Sequence, residues 1–368
     1  MKKQNRVRAV DFARGFSVLM MIPVHVMMLF SSMDTWNHST TGKFVQLLER
    51  GSPIFLIVMG ISFAFSRNAN RKGILKKALL IIALGYVLNF LRFVVPLLIF
   101  GGFPESFVKV SGLQISNPSK IVNFFLKGDM FQLVGISLFL IGLSFKFLIK
   151  NKNILIFIAL IIMWLSKVVS GIQLGIPGID YILNLLWGNN FDVYFPLFPW
   201  LSFILMGLYL GLSYQEKPQN ANESLFKPML YLGILFLIVG KLLCDYDYAY
   251  HFGDYYHLGP GGSMGLMGIL LVLFWVYYHI ETLLPKHNFI SKIFFYCSKN
   301  VTPFYIIQWV LIYWLLAFTN YSVYNEPSVL GIIILINTGT FLMLYLFNRY
   351  IIPESRRKPV LIQKVALK

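Results

Sequence analysis

Past Arg6 and Arg8, three ionisable residues stand in chain otherwise suited to lipid: RVRAVDFARGFSVLMMIPVHVMMLF (6–30) goes on to hold Asp11, Arg14 and His25. Charge inside an apolar span is costly and normally faces the interior of a helix bundle. At 100° per residue, His25 falls about 20° and Asp11 about 60° from Arg14, so all three share one helix face. Asp11 and Arg14, spaced i,i+3, can pair near one end, while His25 lies about 16 Å further along the axis. Pro23 can bend the helix just before it. Such a layout suits a reaction with a donor at one face and a deep base. Arg14 would orient a phosphate-bearing donor, with Asp11 holding its rotamer. Histidine titrates near neutrality, so His25 could take the proton of an amine or hydroxyl attacking a thioester. The structural alternative makes Asp11–Arg14 a plain ion pair and His25 a helix contact.

The elements that must position these residues are membrane helices. Of the 368 residues 57% are hydrophobic and only 13% charged, and the mean hydropathy is +0.68. A soluble chain of this length needs far more charge to cover its surface. Apolar runs of the length that crosses hydrocarbon as a helix fall near 10–31, 51–66, 74–100, 131–149, 153–171, 195–213, 226–244, 263–280, 301–319 and 328–347. The alternating short strands of a membrane barrel are absent. The fold expected is therefore an all-α polytopic bundle of about ten transmembrane helices. It forms one domain over 1–350, followed by a basic tail over 351–368.

The net charge of +17 is topological. Sorting the 32 Lys and Arg by alternate loops puts 23 on the side of the termini and seven opposite, with Arg14 and Arg92 inside helices. The positive-inside rule then makes both termini cytoplasmic, with some attraction to anionic lipid, and nucleic acid is not an expected partner. Cys244 and Cys297 fall at opposite faces, so no disulfide is implied. Gly261, Gly262, Gly265 and Gly268 read as close helix packing rather than phosphate binding.

Other polar candidates lie toward the far face. Gln132 could hydrogen-bond a substrate. Asn89 and Arg92 are polar groups within the third run, where Arg92 could simply reach the interface. The aromatic–proline stretch YFPLFPW (194–200), with Trp200, packs at a helix start or walls a donor tunnel. IPGIDYILNLLWGN (176–189) is too short to span and reads as interfacial or re-entrant. The loop CDYDYAYHFGDYYHLGPGG (244–262) mixes carboxylates with aromatic rings, as carbohydrate sites do. Asp245, Asp247, Asp254, His251 and His257 are the expected acceptor contacts there; His251 and His257 lack the usual spacing of metal ligands.

The span from Arg14 to His25 within DFARG…PVH resembles the opening motif of the acyltransferase-3 family. The wider pattern is more similar to bacterial relatives of the heparan-alpha-glucosaminide N-acetyltransferase catalytic domain. Four further stretches fit it: RGSPIFLIVMGISFAFSR (50–67), KKALLIIALGYVLN (76–89), GDMFQLVGISLFL (128–140) and FPLFPWLSFILMGLYLG (195–211). A weaker fifth is SKNVTPFYIIQW (298–309), where such proteins often carry histidine and this chain has Gln308. The resemblance implies a membrane-embedded transferase moving an acyl group, commonly acetyl, from cytosolic acyl-CoA to a sugar, glycan or glycolipid at the far side. Acetyl-CoA is then a reacting donor, and no permanently bound cofactor is expected. Asp11, Arg14 and His25 would line the donor path and reaction centre. In the lysosomal branch the position of His25 is asparagine and the catalytic histidine follows about a dozen residues later; here that region is TWNH, which makes His38 a rival. Transfer would be direct, or pass through an acyl-histidine. The rival class is a transporter or lipid-linked sugar flippase, since buried Asp, Arg and His also suit proton coupling. Transporters usually draw midplane polar groups from several helices, whereas here the ionisable groups concentrate on the first, which favours the enzyme. A bacterial cytoplasmic membrane is the expected location, and homo-oligomerisation is left open.

Overall fold

The computed structural model describes residues 7–51, 53–65, 70–216, 218, 220–285 and 288–351. Residues 352–368, nearly all of the expected basic tail, lie outside the described residues. The first long helix is α1 (Arg8–Phe30); α2 (Met33–His38) and α3 (Thr40–Gly51) then lead into α4 (Ile54–Ala64). α5 (Arg71–Asn89) runs through a π-helical segment, Phe90–Val94, into α6 (Val95–Ile99). Short helices α7 (Glu105–Ser111) and α8 (Pro118–Leu126) precede α9 (Met130–Leu143), α10 (Phe145–Lys150) and α11 (Asn153–Leu165). Next come α12 (Pro177–Trp187), α13 (Leu197–Glu216) and, after a second π segment, α14 (Lys227–Tyr246). The order closes with α15 (Tyr248–Phe252), α16 (Pro260–Leu283), α17 (Phe289–Lys299), α18 (Val301–Leu316) and α19 (Glu326–Leu346). Among the described residues no strand forms, only isolated bridges at Ser31–Tyr324 and Gly128–Val193.

Among the described residues, seven helical stretches are long and apolar enough to cross a membrane: Arg8–Phe30, Thr40–Ala64, Arg71–Ile99, Leu197–Glu216, Asn222–Tyr246, Pro260–Leu283 and Glu326–Tyr350. Three shorter apolar helices, Met130–Leu143, Asn153–Leu165 and Val301–Leu316, occupy the remaining predicted runs. Two expectations need correction. The connection left between the predicted runs 10–31 and 51–66 is itself helical, and α3, which carries Lys43, Glu49 and Arg50, adds helix ahead of α4. The predicted span 131–149 is divided at Ser144, where φ −96° and ψ 9° leave the helical region.

α1 packs against α3, α4, α16, α17, α18 and α19. Between helices in lipid the hydrophobic effect gives little drive, so close packing of small residues must hold them. A Cβ on Gly60 would sit 2.1 Å from the Ile204 carbonyl oxygen, and one on Gly207 would sit 2.1 Å from that of Ile57. Only hydrogen fits where α4 crosses α13. In the α14–α16 pair, a Cβ on Gly240 would meet Gly265 N at 2.3 Å and one on Gly268 would meet Gly233 O at 2.7 Å, as expected of these glycines. Because the obstacle at Gly207 is backbone, it cannot move aside as a side chain would. Gly207→Ala should therefore separate α4 from α13 and destabilise the fold by at least about 1–3 kcal/mol. Thermal unfolding in detergent measures this, and an unchanged midpoint would contradict the close crossing.

Candidate functional site

α1 spaces its polar residues at two levels. Toward its Arg8 end, Asp11 is buried and accepts from Ser298 Oγ of α17 at 3.2 Å. Arg14 Nη2 stands 3.6 Å from Asp11 Oδ1, the i,i+3 pair the sequence predicts. The same Nη2 donates to Ser62 Oγ of α4 at 2.7 Å. The pair thus joins three helices, and the Arg14 side chain keeps 24% of its surface accessible.

Deeper along α1, the His25 ring stacks on Trp309 of α18, with centroids 3.9 Å apart and planes at 26°. Tyr305, one turn earlier on α18, meets the ring edge-on at 6.4 Å. His25 Nδ1 is sealed from solvent and has no hydrogen-bond partner among the described residues. A buried ring nitrogen with nothing to bond is uncommon in a purely structural histidine. It suits a base whose partner is a substrate.

Trp309 also touches a charged group: the Arg92 guanidinium lies 5.1 Å from its centroid, and also over Phe93 and Tyr313. The π-helical segment carries Arg92 into the bundle, and such bulges are frequent at functional sites. Arg92 Nη2 donates to Asp129 Oδ2 at 2.7 Å and to Asn89 Oδ1 at 2.9 Å. Asn89 Nδ2 in turn donates to the Phe125 and Lys127 carbonyls, both at 2.8 Å. Asp129 caps α9: its Oδ1 accepts from Met130 N, and its own N–H donates to Gln132 Oε1 at 3.2 Å. Arg92 is 1% exposed, so it does not reach the interface as the sequence allowed. The premise that ionisable groups concentrate on the first helix also fails, because the Arg92–Asp129 pair joins α5 to α9.

Beyond Asp129 lie the loops at the Phe30 end of α1. Gly128 N donates to Asp192 O, and Tyr194 N to Gly128 O, which locks 127–129 against 192–194. The Lys127 ammonium sits 4.4 Å from the Tyr194 ring centroid and 4.9 Å from that of Phe124. Burial, then the Arg92 charge, push it down to about 8. His257 is gripped at both ring edges, by Asp254 Oδ2 at 2.6 Å and by the Val193 carbonyl at 3.1 Å. Burial alone would raise the Asp254 carboxyl; hydrogen bonds from His257 and from Tyr256 N outweigh it and hold the group below the usual carboxylate range. A depressed folded-state value adds stability that is complete above the ordinary carboxylate range and fades as pH falls through the folded one. Acidification toward pH 3 should loosen this clamp, and Asp254→Asn should remove that part of the acid dependence. Unfolding midpoints of the two proteins between pH 6 and 3 check it; parallel curves would refute it.

The predicted residues therefore separate. His25, Asn89 and Gln132 share one region, bridged by Tyr305, which touches His25 and lines a cleft with the other two. Asp11 and Arg14 sit at the Arg8 end of the same helix. Trp200 is fully buried, stacked on Phe203, and its Nε1 donates to the Tyr256 carbonyl at 2.8 Å. His38 is exposed on α2 and pairs with Asp34 at 3.0 Å. Asp245 pairs with Lys241 in the open, and Asp247 caps α15. His251 is buried, accepting from Gly261 N, while Asp254 and His257 form the loop clamp. The loop 244–262 thus divides its polar residues between solvent and interior. Trp309, Tyr305 and Asp129 escaped the sequence reading, although they lie in SKNVTPFYIIQW and GDMFQ; an aromatic residue in an apolar helix carries no mark of what it stacks on.

Apolar helices around a buried polar centre define an integral membrane protein of the helical-bundle class. A family model described as heparan-alpha-glucosaminide N-acetyltransferase, catalytic, matches residues 6–242. That is more than half of the chain, which belongs to this family of membrane acetyltransferases. The match takes in Asp11, Arg14, His25, Asn89 and Gln132 and stops before Trp309 and the 244–262 loop. A search of curated proteins found no match.

Proposed function

We propose that this protein transfers an acetyl group from cytosolic acetyl-CoA to an amine or hydroxyl of a sugar, glycan or glycolipid at the opposite face of a bacterial cytoplasmic membrane. The chain crosses ten times, the three shorter apolar helices included, with both termini cytoplasmic. The observation that carries the reading is the unpartnered, sealed Nδ1 of His25, stacked on Trp309 in the middle of an acetyltransferase-family bundle. Arg14, partly accessible at the Arg8 end, meets the phosphates of the donor. The acyl arm follows α1 for about 16 Å to His25. His25 takes the proton of the attacking nitrogen or oxygen as that atom bonds to the thioester carbonyl carbon. Collapse breaks the carbon–sulfur bond, and CoA leaves with the proton.

One observation favours the rival, transport of a sugar or lipid-linked sugar: a second buried ion pair, Arg92–Asp129, on other helices. Purified protein given radiolabelled acetyl-CoA and a soluble glucosaminide decides between them. Labelled sugar and free CoA are the expected products. Absence of both CoA binding and turnover would move the assignment to transport.

A further inference from the structure

Gln132 presents a donor with nothing to bind. Its Oε1 is committed, accepting from Asp129 N at 3.2 Å in the capping box of α9, and this fixes which end of the amide faces the bundle. The other end, Nε2, is buried with no partner among the described residues, in a residue 1% exposed. Gln132 lines a narrow cleft whose other walls include Gly85, Leu88, Phe131 and Tyr305. At rest the walls close around the amide, so a thioester carbonyl must part them to reach Nε2. Gly85 packs directly against the amide: a Cβ there would stand 2.7 Å from Nε2. Tyr305 connects the cleft to the reaction centre, its ring lying 6.4 Å from that of His25.

We propose that Gln132 Nε2 binds the carbonyl oxygen of the acyl thioester and holds the negative charge that develops there during transfer. The proposal rests on the acyl-CoA reading above. The ligand class follows from what the cleft offers. An amide NH₂ suits a single neutral acceptor oxygen: Asn89 and Asp129, which also line the cleft, are already bonded to Arg92, and a phosphate or carboxylate would bring its charge beside the Asp129 carboxylate. Arg92 at 2.7 Å pairs the Asp129 charge and Met130 N occupies its Oδ1, so it opposes a transient oxyanion only weakly. As the nucleophile adds to the carbonyl carbon, the π pair of the C=O bond moves onto oxygen, against the Gln132 N–H. When the intermediate collapses, that pair re-forms C=O and the bond to sulfur breaks. A preorganised donor in a water-free site acts most strongly on charge that appears only in the transition state.

The test uses the full chain in detergent and two unreactive probes. One is the methyl-ketone analogue of acetyl-CoA, with methylene in place of sulfur; the other is S-ethyl-CoA, which lacks the carbonyl. Wild type should bind the ketone roughly 3- to 10-fold more tightly. Gln132→Glu, which can keep the capping bond but presents an acceptor, should erase that preference and leave S-ethyl-CoA affinity unchanged. Its kcat should fall about 10²- to 10³-fold, while the KM for acetyl-CoA rises by no more than that same roughly 3- to 10-fold. Gly85→Ala crowds the amide from outside and should give the same loss, which keeps the test valid if Gln132→Glu folds poorly. If the ketone preference survives in both variants, or if wild type binds both probes equally, Gln132 is not the oxygen site and the donor reading stands. If wild type binds neither probe, the acyl-CoA reading falls and this proposal with it.

Discussion

Replacing His25 with alanine should lower acetyl transfer by about 10²- to 10⁴-fold while the bundle stays folded. The size reflects loss of the proton acceptor in the step where the nucleophile adds. Retention of the fold follows from what the side chain does at rest: its Nδ1 bonds to nothing, so no buried partner is orphaned, and what is lost is a stacked contact on Trp309. His38 supplies the control, since its side chain is exposed and paired only with Asp34. His38→Ala should behave as wild type. Labelled acetyl-CoA assays beside thermal unfolding of all three proteins read both quantities. A folded His25→Ala protein that still transfers at the wild-type rate would remove His25 from the mechanism. Loss confined to His38→Ala would move the base to α2.

The second large effect concerns stability. Arg92→Met leaves the Asp129 carboxylate buried beside apolar walls, and breaking a buried pair in this way costs about 3–5 kcal/mol. Asn89 Oδ1 loses its donor as well. The Lys127 ammonium acts on Asp129 and offsets part of the cost, which places the expected loss toward the lower end of that range. Adding Asp129→Asn to Arg92→Met removes the orphaned charge while keeping a good cap on α9. The double variant should regain most of the lost stability, a non-additivity that a simple packing defect would not show. Unfolding midpoints of both single variants and the double measure it. Equal losses in Arg92→Met and the double variant would mean that packing of the guanidinium, and not its charge, holds α5 to α9.

Much of the design is local and therefore legible in the chain. Composition and run length require membrane helices because backbone groups in lipid must bond internally. Periodicity sets Asp11 and Arg14 one turn apart, and the structure shows them 3.6 Å apart. The glycines of α16 announce a close crossing because no side chain could stand between the backbones. The family was legible in several short stretches taken in order, and the match over residues 6–242 establishes it.

What joins distant segments was not legible. Asp129 follows Arg92 by 37 positions, and the pair exists only because a π-helical segment aims one side chain across at the start of another helix. Trp309 reads as one more apolar residue until the bundle stacks it on His25. The carboxylates of 244–262 look alike in sequence, yet Asp245 faces solvent and Asp254 clamps a buried histidine. Spacing along one helix is fixed by covalent geometry, so the sequence by itself determined the helices, their polar face and the family. Which polar atom meets which across helices depends on how the helices cross, and packing at small residues sets those crossings. The partners of Arg92, the stacking of His25 and the unsatisfied amide of Gln132 were therefore decided only by the tertiary structure.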